Sequence, residues 1–428
     1  MIPELRERYL SEFRPEKYRR LLALLNEQCG TQIHFRVAET PVFVREELLH
    51  SMADAGAALL EVLMGDSGYL AAARQAIPAG FCVAGETAHP HFLTADFALA
   101  RDAGGMLVLH LVEIQAFPSV FGFQAQLCAG YREAFGLDPG LKQFLGGLEE
   151  VEYWELLSKT VLGRHAAEQV VLAEVEPLGQ KTLPDFLVTA KRLGIAVVDI
   201  ASLEPAGDEL TYRDGAGRRI PIRRIYNRAI AEDLAARRVR LQFDLTRPWK
   251  VEWAGHPNWY FLVSKFSIPR LWRSEAGRRV VPPAVFLSDF LEGGGRAELE
   301  AAGVEPPAGP DAVFEELLLK PLFSFAGKGI EFAPTLARLE TIPQKERGGY
   351  LLQKRMRFEQ TIATPEGPTQ AEFRILYLWP DGGQLTPALS LVRLGRGKMM
   401  GVDHNRSLAW VGASAAFFPG RNGEAQWR

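Results

Sequence analysis

The segment between residues 170 and 200 constrains the fold more than any other part of the sequence. It reads VVLAEVEPLGQKTLPDFLVTAKRLGIAVVDI: an apolar run, a turn, an amphipathic stretch, Gly194 and a second apolar run. This order and these lengths predict a strand, a helix and a second strand in a right-handed βαβ unit. Because strands joined in this way run parallel, we expect an α/β protein that contains a parallel sheet.

The remaining segments predict mixed helices and strands around this unit. Helices are expected over residues 4–28 and 46–75, a half-buried strand from residue 31 to near Pro41, an antiparallel hairpin over 91–117, and mainly β structure with short helices over 313–420. A turn from Asp214 to Gly217 separates two short strands. The second of these strands ends at Tyr226, Asn227 and Arg228.

The composition suits a globular protein and argues against two classes of partner. Of the 428 residues 47% are hydrophobic, which can fill a sizeable core, and 49 Lys and Arg oppose 52 Asp and Glu for a net charge of −3. Such a chain has no overall basic field to hold nucleic acid or an anionic membrane. We therefore expect neither partner, and any anion site must be local.

The cysteines and the N-terminal residues predict a cytoplasmic protein. Cys29, Cys82 and Cys128 have no CxxC spacing and cannot form a closed disulfide set, which suits a reducing compartment, and we predict that they are core residues. The N-terminal stretch MIPELRERYLSEFRPEKYRR is charged throughout and lacks the apolar region of a signal peptide. No run reaches the roughly 18 apolar residues of a membrane helix.

The most informative charged residues lie in the predicted hairpin. Asp96 is on its first strand, and Glu113 and Gln115 are two apart on its second strand, hence on one face. Across an antiparallel pair these three side chains can converge, and their oxygens are hard ligands suited to Mg²⁺. A carboxylate within so apolar a strand is costly to bury without a partner. The hairpin therefore predicts a functional site.

A lysine at the end of another apolar run leads into a glycine-containing loop. Lys320 is followed by Ser324, Gly327, Lys328 and Gly329. Positive charge, and glycines that let the backbone approach closely, are what a phosphate site requires. The spacing is not that of a Walker-type P-loop. The same residues also suit an ordinary β-turn, so both interpretations stay open.

Two later strands carry further candidates. Gln353 and Lys354 end an apolar run whose backbone can hydrogen-bond a purine, although many ordinary strands share this pattern. Glu372 and Arg374 are two apart, and therefore lie on one strand face, with Phe373 on the other. This charged pair faces either a cleft or solvent.

Taken in order, these segments resemble the ATP-grasp superfamily, and most closely its glutathionylspermidine-synthase-like branch, in which the motif order is permuted. The strands that carry Asp96, Glu113 and Gln115 are similar to the metal-ligand strands of the branch, with Gln115 in place of the usual asparagine. Gln has one more carbon in its side chain, so it extends the ligand arm. The resemblance spans roughly residues 90 to 420 as scattered short motifs.

Three later motifs belong to the same resemblance. Lys320 and the loop from Ser324 to Gly329 resemble the branch's KPL lysine and glycine loop, although the loop lacks the usual arginine and acidic residue. Tyr350 to Gln353 is similar to its adenine-hinge strand, and Asn405 to Pro419 is similar to its C-terminal stretch.

The resemblance implies an ATP-dependent ligase. Enzymes of this kind transfer the γ-phosphoryl group of ATP to a carboxylate, and an amine or thiol then attacks the acyl phosphate; positioning and charge neutralisation supply most of the catalysis. The resemblance implies that Asp96, Glu113 and Gln115 bind Mg²⁺. It implies that Lys320, Lys328 and the loop Ser324–Gly329 bind phosphate, and that adenine binds near Gln353 and Lys354. Arg374 would stabilise the transferring phosphoryl group, and Asn227 and Arg228 would lie on the acceptor side.

The resemblance also implies three parts of the chain. We expect an N-terminal α/β part over 1–165 with the metal-ligand hairpin, a βαβ and substrate-side part over 166–304, and a mainly β ATP-binding part over 305–428. The Pro/Gly-rich stretch EPPAGPDA begins the third part.

Other interpretations of the same residues stay open. An ATP-grasp fold without catalysis would bind a nucleotide or peptide as a module, and an unrelated α/β protein would not bind ATP. Asn227 and Arg228 also suit a structural corner. The stretch GHPNWYFLVSKFSIPRLW is aromatic and basic enough to line a ligand site, but Trp259, Tyr260 and Trp272 also suit the core.

Overall fold

The protein is described by a computed structural model. It describes residues 1–102, 104–305, 309, 311–324, 327–397, 400, 405 and 407–420. Parts of four predicted features lie outside these ranges: Ala103 of the hairpin turn, four residues of the Pro/Gly-rich stretch, Phe325 and Ala326 of the glycine loop, and Arg406 of the C-terminal motif.

The strands, numbered in chain order, are β1 Val42–Phe43, β2 Phe92–Arg101, β3 Leu107–Gln115, β4 Leu141–Lys142, β5 Val170–Glu174, β6 Ala196–Asp199, β7 Glu204–Ala206, β8 Glu209–Arg213, β9 Arg219–Ile222, β10 Arg224–Asn227, β11 Glu252–Ala254, β12 Ala284–Phe286, β13 Leu317–Pro321, β14 Glu331–Phe332, β15 Tyr350–Lys354, β16 Gln370–Leu378, β17 Thr386–Gly395 and β18 Gly412–Pro419.

The helices are α1 Pro3–Glu12, α2 Pro15–Cys29, α3 Glu46–Met64, α4 Ser67–Gln75, α5 Phe121–Phe135, α6 Glu150–Leu162, α7 Leu183–Leu193, α8 Ala231–Ala236, α9 Trp259–Leu262, α10 Ile268–Trp272, α11 Glu275–Arg278, α12 Leu287–Leu291, α13 Gly294–Ala301 and α14 Leu336–Glu340.

The largest sheet, which we call the main sheet, unites strands from both ends of the chain. Its order is β1-β18-β17-β16-β2-β3, with β4 paired to β18. Apart from the parallel contact of β1 with β18, its pairs are antiparallel. The predicted hairpin is confirmed as β2 and β3, and β16 lies directly beside β2.

The predicted βαβ unit is also confirmed. Strands β5 and β6 run parallel with α7 between them, and β10 and β11 extend the sheet on the other side of β5. This parallel sheet, ordered β11-β10-β5-β6, is the platform whose carboxyl edge is formed by Glu174, Asp199 and Asn227. Gly194 ends α7 in a left-handed conformation, which a residue without Cβ adopts at no steric cost.

Two smaller sheets complete the β structure. The second antiparallel sheet has the order β12-β15-β13-β14, and a three-stranded sheet has the order β7-β8-β9. The chain passes from β9 in the three-stranded sheet to β10 in the parallel sheet with only Arg223 between them. The single strand predicted after the Asp214 turn is therefore two strands in two sheets.

Helices α3 and α5 cover opposite faces of the main sheet. The face under α3 is apolar, and there Tyr377 of β16 donates a hydrogen bond to the Ala53 carbonyl at 2.7 Å. The approach is close at Gly56, where an added Cβ would lie 2.3 Å from the Tyr377 hydroxyl. The face under α5 is apolar near Leu376 and Leu389 but charged at the other end of the strands, where the candidate site lies.

The boundaries of several predicted elements differ from the structure. The helix expected over 4–28 is two helices, since Pro15 starts α2 at a position where its missing N–H costs nothing. The helix expected over 46–75 bends by 80° between α3 and α4, where Asp66 caps α4 by accepting from Tyr69 N at 2.8 Å. Of the strand expected from residue 31 to near Pro41, only a single bridge at Val37 is present, and β1 begins just after Pro41.

The cysteine prediction is correct for two of three residues. Cys29 and Cys128 are buried, but Cys82 is exposed, and all three are free thiols. Among the described residues, no single helix has both the length and the apolar character needed to cross a membrane.

Candidate functional site

Strand register places a row of charged side chains on the α5 face of the main sheet. Asp96 is paired with Glu113 on one side and with Arg374 on the other, and Glu372 is paired with Arg393. Residues that are directly opposite in an antiparallel pair share one face, as do residues two apart on a strand. Four neighbouring strands therefore present their charges to the same side.

The centre of this row is a buried ion pair with two-point geometry. Arg374 donates from Nε to Asp96 Oδ1 and from Nη2 to Asp96 Oδ2, both at 2.6 Å. Arg393 Nη1 lies 3.2 Å from the same Oδ2 and also donates to Glu372. Such a bidentate, charge-assisted pair is among the stronger contacts a protein makes. Although burial opposes it, the two guanidinium groups lower the pKa of Asp96.

A lysine from the second antiparallel sheet faces this row. Lys320, at the end of β13, is buried and donates from Nζ to Gln353 Oε1 at 2.7 Å. Burial lowers its pKa to about 8; Glu113 and Glu372 oppose the shift and Lys265 adds to it. These four side chains are therefore close enough to interact electrostatically across the two sheets.

A second buried lysine, Lys265, also lies beside this row of charges. It is buried, its Nζ donates to the Ser324 carbonyl, and it lies 3.6 Å from Glu113 Oε2. We call the whole group the charged cleft, which consists of Asp96, Glu113, Lys265, Lys320, Glu372, Arg374 and Arg393. It holds four cationic side chains against three carboxylates.

The carboxylates of the charged cleft are not equivalent. Burial, with the nearby Asp96 and Glu113, raises the pKa of Glu372, while Arg393 and Arg374 oppose that rise. Glu113 is 21% exposed, and its nearest cations, Lys265 and Arg374, are each 3.6 Å away, which is longer than a hydrogen bond. Glu113 is therefore the acid that is most available to a ligand.

The predicted glycine loop lies beside the charged cleft. Ser324 Oγ is 3.4 Å from the Pro321 carbonyl, Gly327 and Gly329 both have φ of +73°, and Lys328 is exposed. Phe325 and Ala326, which lie between Ser324 and Gly327 in sequence, are outside the described residues. The two left-handed glycines fit a tight turn of backbone, which both interpretations of the loop require.

The structure does not bring every predicted site residue to this place. Lys354 follows Gln353 and so lies on the opposite face of β15, with the core residue Leu352. Asn227 and Arg228 lie at the carboxyl edge of the parallel sheet. Arg228 forms a buried ion pair with Asp185 and packs over the Phe186 ring at 4.9 Å, so its observed contacts are structural.

The predicted Mg²⁺ ligands lie together but do not form a metal site in this arrangement. Asp96, Glu113 and Gln115 share one face, with Gln115 opposite Thr94. Both oxygens of Asp96 are already bound by Arg374, however, so a metal ion would have to displace a guanidinium group. Within the described ranges, no three His, Cys, Asp or Glu side chains are grouped so as to hold a metal ion.

Sequence reasoning missed two members of the charged cleft. Arg393 lies in the apolar strand TPALSLVRLG, where a lone arginine is a weak signal that only its strand partner Glu372 explains. Lys265 is in the aromatic stretch considered above as a ligand wall, but nothing in its neighbours points to Glu113, 152 residues earlier in the sequence. In that stretch Trp259 is buried in the core, whereas Tyr260 and Trp272 are partly exposed.

Comparison with known proteins supports the fold but names no family. No protein-family model and no curated protein matches the sequence. Among solved structures, the apo form of a glutathione synthetase-like effector, GSS30 from Globodera pallida, is similar with a TM-score of 0.61. The match has 12% sequence identity and covers 94% of this chain and 96% of the effector chain.

A likeness at this identity concerns the fold alone. The chain is a mixed α/β protein with a glutathione synthetase-like fold, and the predicted ATP-grasp-like fold class is confirmed at that level.

Proposed function

We propose that the charged cleft binds the polyphosphate of ATP and that the protein is an ATP-dependent carboxylate–amine ligase. The observation that carries the proposal is Lys320, a buried lysine on one sheet that faces the acid and arginine row of another. The four cations of the cleft outnumber its three carboxylates, and this excess supplies the positive potential that phosphates require. The glutathione synthetase-like fold of the similar structure supports the same class of reaction.

The residues of the cleft suggest a division of roles. Lys320 and Lys265 lie on the side of the glycine loop and would contact phosphate oxygens. Gln353, which already accepts from Lys320, has a buried Nε2 without a hydrogen-bond partner among the described residues. That unused donor lies where the branch of the ATP-grasp superfamily that the sequence resembles has its adenine hinge, so we propose that it contacts the base.

The proposed reaction has two steps with a simple balance of bonds. The γ-phosphoryl group passes from ATP to a substrate carboxylate, which gives ADP and an acyl phosphate. An amine then forms the C–N bond as the C–O bond to phosphate breaks, with loss of phosphate and a proton. Arg374 and the lysines would hold the phosphoryl oxygens, and this positioning is the main contribution of the protein.

One observation favours a second candidate, a nucleotide-binding module without catalysis. Asp96, one of the predicted Mg²⁺ ligands, is held by Arg374 and Arg393. If that pair persists when a nucleotide binds, only Glu113 and Gln115 remain for a metal ion. Phosphate release from ATP in the presence of mixed carboxylates and amines separates the two candidates, because only a ligase shows release that depends on both.

Titration calorimetry of ATP tests the proposed site. The wild type should bind ATP in the micromolar range, and Lys320→Ala should weaken binding by at least about tenfold, since each charged hydrogen bond contributes about 1.5–3 kcal/mol. Titrations of Glu113→Ala with and without Mg²⁺ show whether the metal is bound there. Lys345→Ala, which removes an exposed lysine, is the control and should bind normally. A wild type that does not bind ATP would overturn the proposal.

Nucleotide affinity should also fall as the pH rises above about 8. Burial lowers the pKa of Lys320 to about 8, and only the protonated lysine attracts phosphate. Above that pKa, Lys320 must take up a proton when ATP binds, so the affinity for ATP falls by up to about tenfold per pH unit. Calorimetry at pH 7, 8 and 9 should show this loss in the wild type and in Lys345→Gln. Lys320→Gln should bind weakly at all three pH values, and an equal pH dependence in that variant would contradict the assignment.

A further inference from the structure

The Asp96 carboxylate in the charged cleft is fully occupied by cations. The residue is 1% exposed, its Oδ1 accepts from Arg374, and its Oδ2 accepts from both Arg374 and Arg393. Arg374 is held at a third point, because its Nη1 donates to Ser119 Oγ at 3.1 Å. Moving Arg374 away from Asp96 would leave two buried charges without their closest partner. Asp96 therefore acts as the counter-ion of the two arginines.

Glu113, the most available acid of the cleft, lies among positive charges. Lys265 Nζ and Arg374 Nη2 are each 3.6 Å from its carboxylate oxygens, and Lys320 is near enough to interact with it electrostatically. A divalent metal ion at Glu113 would be repelled by all three cations, since like charges interact strongly in a partly buried site. Gln115, the other predicted ligand, has no charge to offset this repulsion. Glu113 and Gln115 alone are therefore a poor site for Mg²⁺.

Arg393 presents a free edge of its guanidinium group. Its contacts with Asp96 and Glu372 are both made by Nη1, and within the described part of the chain its Nε and Nη2 form no hydrogen bond. Its side chain is 23% exposed, so part of it is open to solvent. The Nε and Nη2 edge of an arginine binds two oxygens of one carboxylate or phosphate side by side, and in Arg374 this edge is taken by Asp96. Arg393 therefore offers an oxyanion a charged, two-point contact.

We propose that the charged cleft binds the phosphate groups of its ligand without a divalent metal ion, with the guanidinium groups of Arg374 and Arg393 in the place predicted for Mg²⁺. Asp96 then orients these two cations instead of coordinating a metal ion, and Lys320 and Lys265 add positive charge on the side of the glycine loop. The contacts of Asp96 carry this inference. Only the choice of ATP as the ligand rests on the proposed function, since metal independence applies equally to inorganic triphosphate.

Calorimetric titration with ATP and with inorganic triphosphate, in EDTA and in excess Mg²⁺, tests the inference. The wild type should bind each ligand at least as tightly in EDTA, because Mg²⁺ complexed to phosphate lowers the negative charge that the cleft attracts. Tighter binding in Mg²⁺ would overturn the inference, and so would a lack of binding by both ligands in both conditions. Binding of triphosphate but not of ATP would keep the inference and remove only the nucleotide of the proposed function.

The variant Asp96→Asn gives a second test, because a counter-ion and a metal ligand predict effects of opposite sign. Loss of the buried negative charge frees Arg374 and Arg393 for the ligand, so triphosphate should bind about tenfold more tightly than to the wild type. A metal ligand at this position would instead make the variant bind more weakly in Mg²⁺. Weaker or unchanged binding by folded Asp96→Asn would overturn the inference.

Asp185→Asn is the matched control for this variant. It changes another buried aspartate that is paired with an arginine, outside the charged cleft, and should bind triphosphate as the wild type does. Circular dichroism shows whether each variant is folded. If Asp96→Asn does not fold, the comparison of the wild type in EDTA and in Mg²⁺ decides alone.

Discussion

Replacing Arg374 by leucine should lower the free energy of unfolding by about 3–5 kcal/mol. Asp96, the partner of Arg374, is 1% exposed, and Arg374 supplies two of the three short contacts to its carboxylate. Removing Arg374 leaves the buried Asp96 carboxylate with Arg393 alone, at 3.2 Å, in a medium of low polarity, which is the costly part. Urea denaturation followed by circular dichroism measures the loss directly.

Two control variants distinguish the cost of breaking this buried ion pair from the cost of removing an arginine elsewhere. Arg101→Leu removes an arginine at the end of β2 whose partner, Glu359, is 32% exposed, and it should cost no more than about 1 kcal/mol. The double variant Asp96→Leu with Arg374→Leu removes both buried charges and should recover a large part of the lost stability. A loss below about 1 kcal/mol in Arg374→Leu, equal to that in Arg101→Leu, would show that Arg393 alone is enough to compensate the Asp96 charge.

Replacing Asp185 by leucine should have an effect of similar size, about 3–5 kcal/mol, in a different part of the molecule. Asp185 is 1% exposed, forms an ion pair with the buried Arg228, and accepts a hydrogen bond from Phe123 N at 3.0 Å. The replacement leaves both the Arg228 guanidinium and the Phe123 amide without their acceptor. Asp185 thus joins α7 to α5 and to the end of β10.

The conservative variant Asp185→Asn divides this effect into its parts. The amide oxygen can still accept from Phe123, but the negative charge opposite Arg228 is lost, so the expected loss is smaller than in Asp185→Leu. Glu150→Gln, whose partner Arg192 on α7 is exposed and 3.5 Å away, serves as the surface control with an effect of about 1 kcal/mol or less. If Asp185→Asn were as stable as the wild type, the ion pair with Arg228 would contribute no net stability.

Local patterns were sufficient for the elements that depend on neighbouring residues. The β5-α7-β6 unit and the β2–β3 hairpin were predictable because apolar periodicity, turn residues and short connections act within a few tens of residues. The same patterns put Asp96, Glu113 and Gln115 on one face, since a strand's side chains alternate with a period of two. They also placed Lys320 at the end of a strand.

Element ends were less predictable, because they depend on single residues and on tertiary partners. Pro15 and Asp66 divide what apolar spacing alone describes as continuous helices. Residues 31–44 alternate as a strand does, but only Val42–Phe43 and the single bridge at Val37 find a partner, in β18, about 370 residues further along the chain. Alternation shows which side chains can share a face, and it contains no information about whether a partner strand is available.

By itself the sequence determined the secondary structure units, the face of each strand on which its charges lie, and the absence of an overall basic field. Only the tertiary structure decided which charges meet. Strand β16 inserts between β2 and β17, so Arg374 and Arg393 reach Asp96 across 278 and 297 residues of sequence, and Lys265 and Lys320 approach Glu113 from two other parts of the chain. The physical reason is that sheet order follows from the burial of whole strand faces against α3 and α5, a long-range balance that no short motif contains.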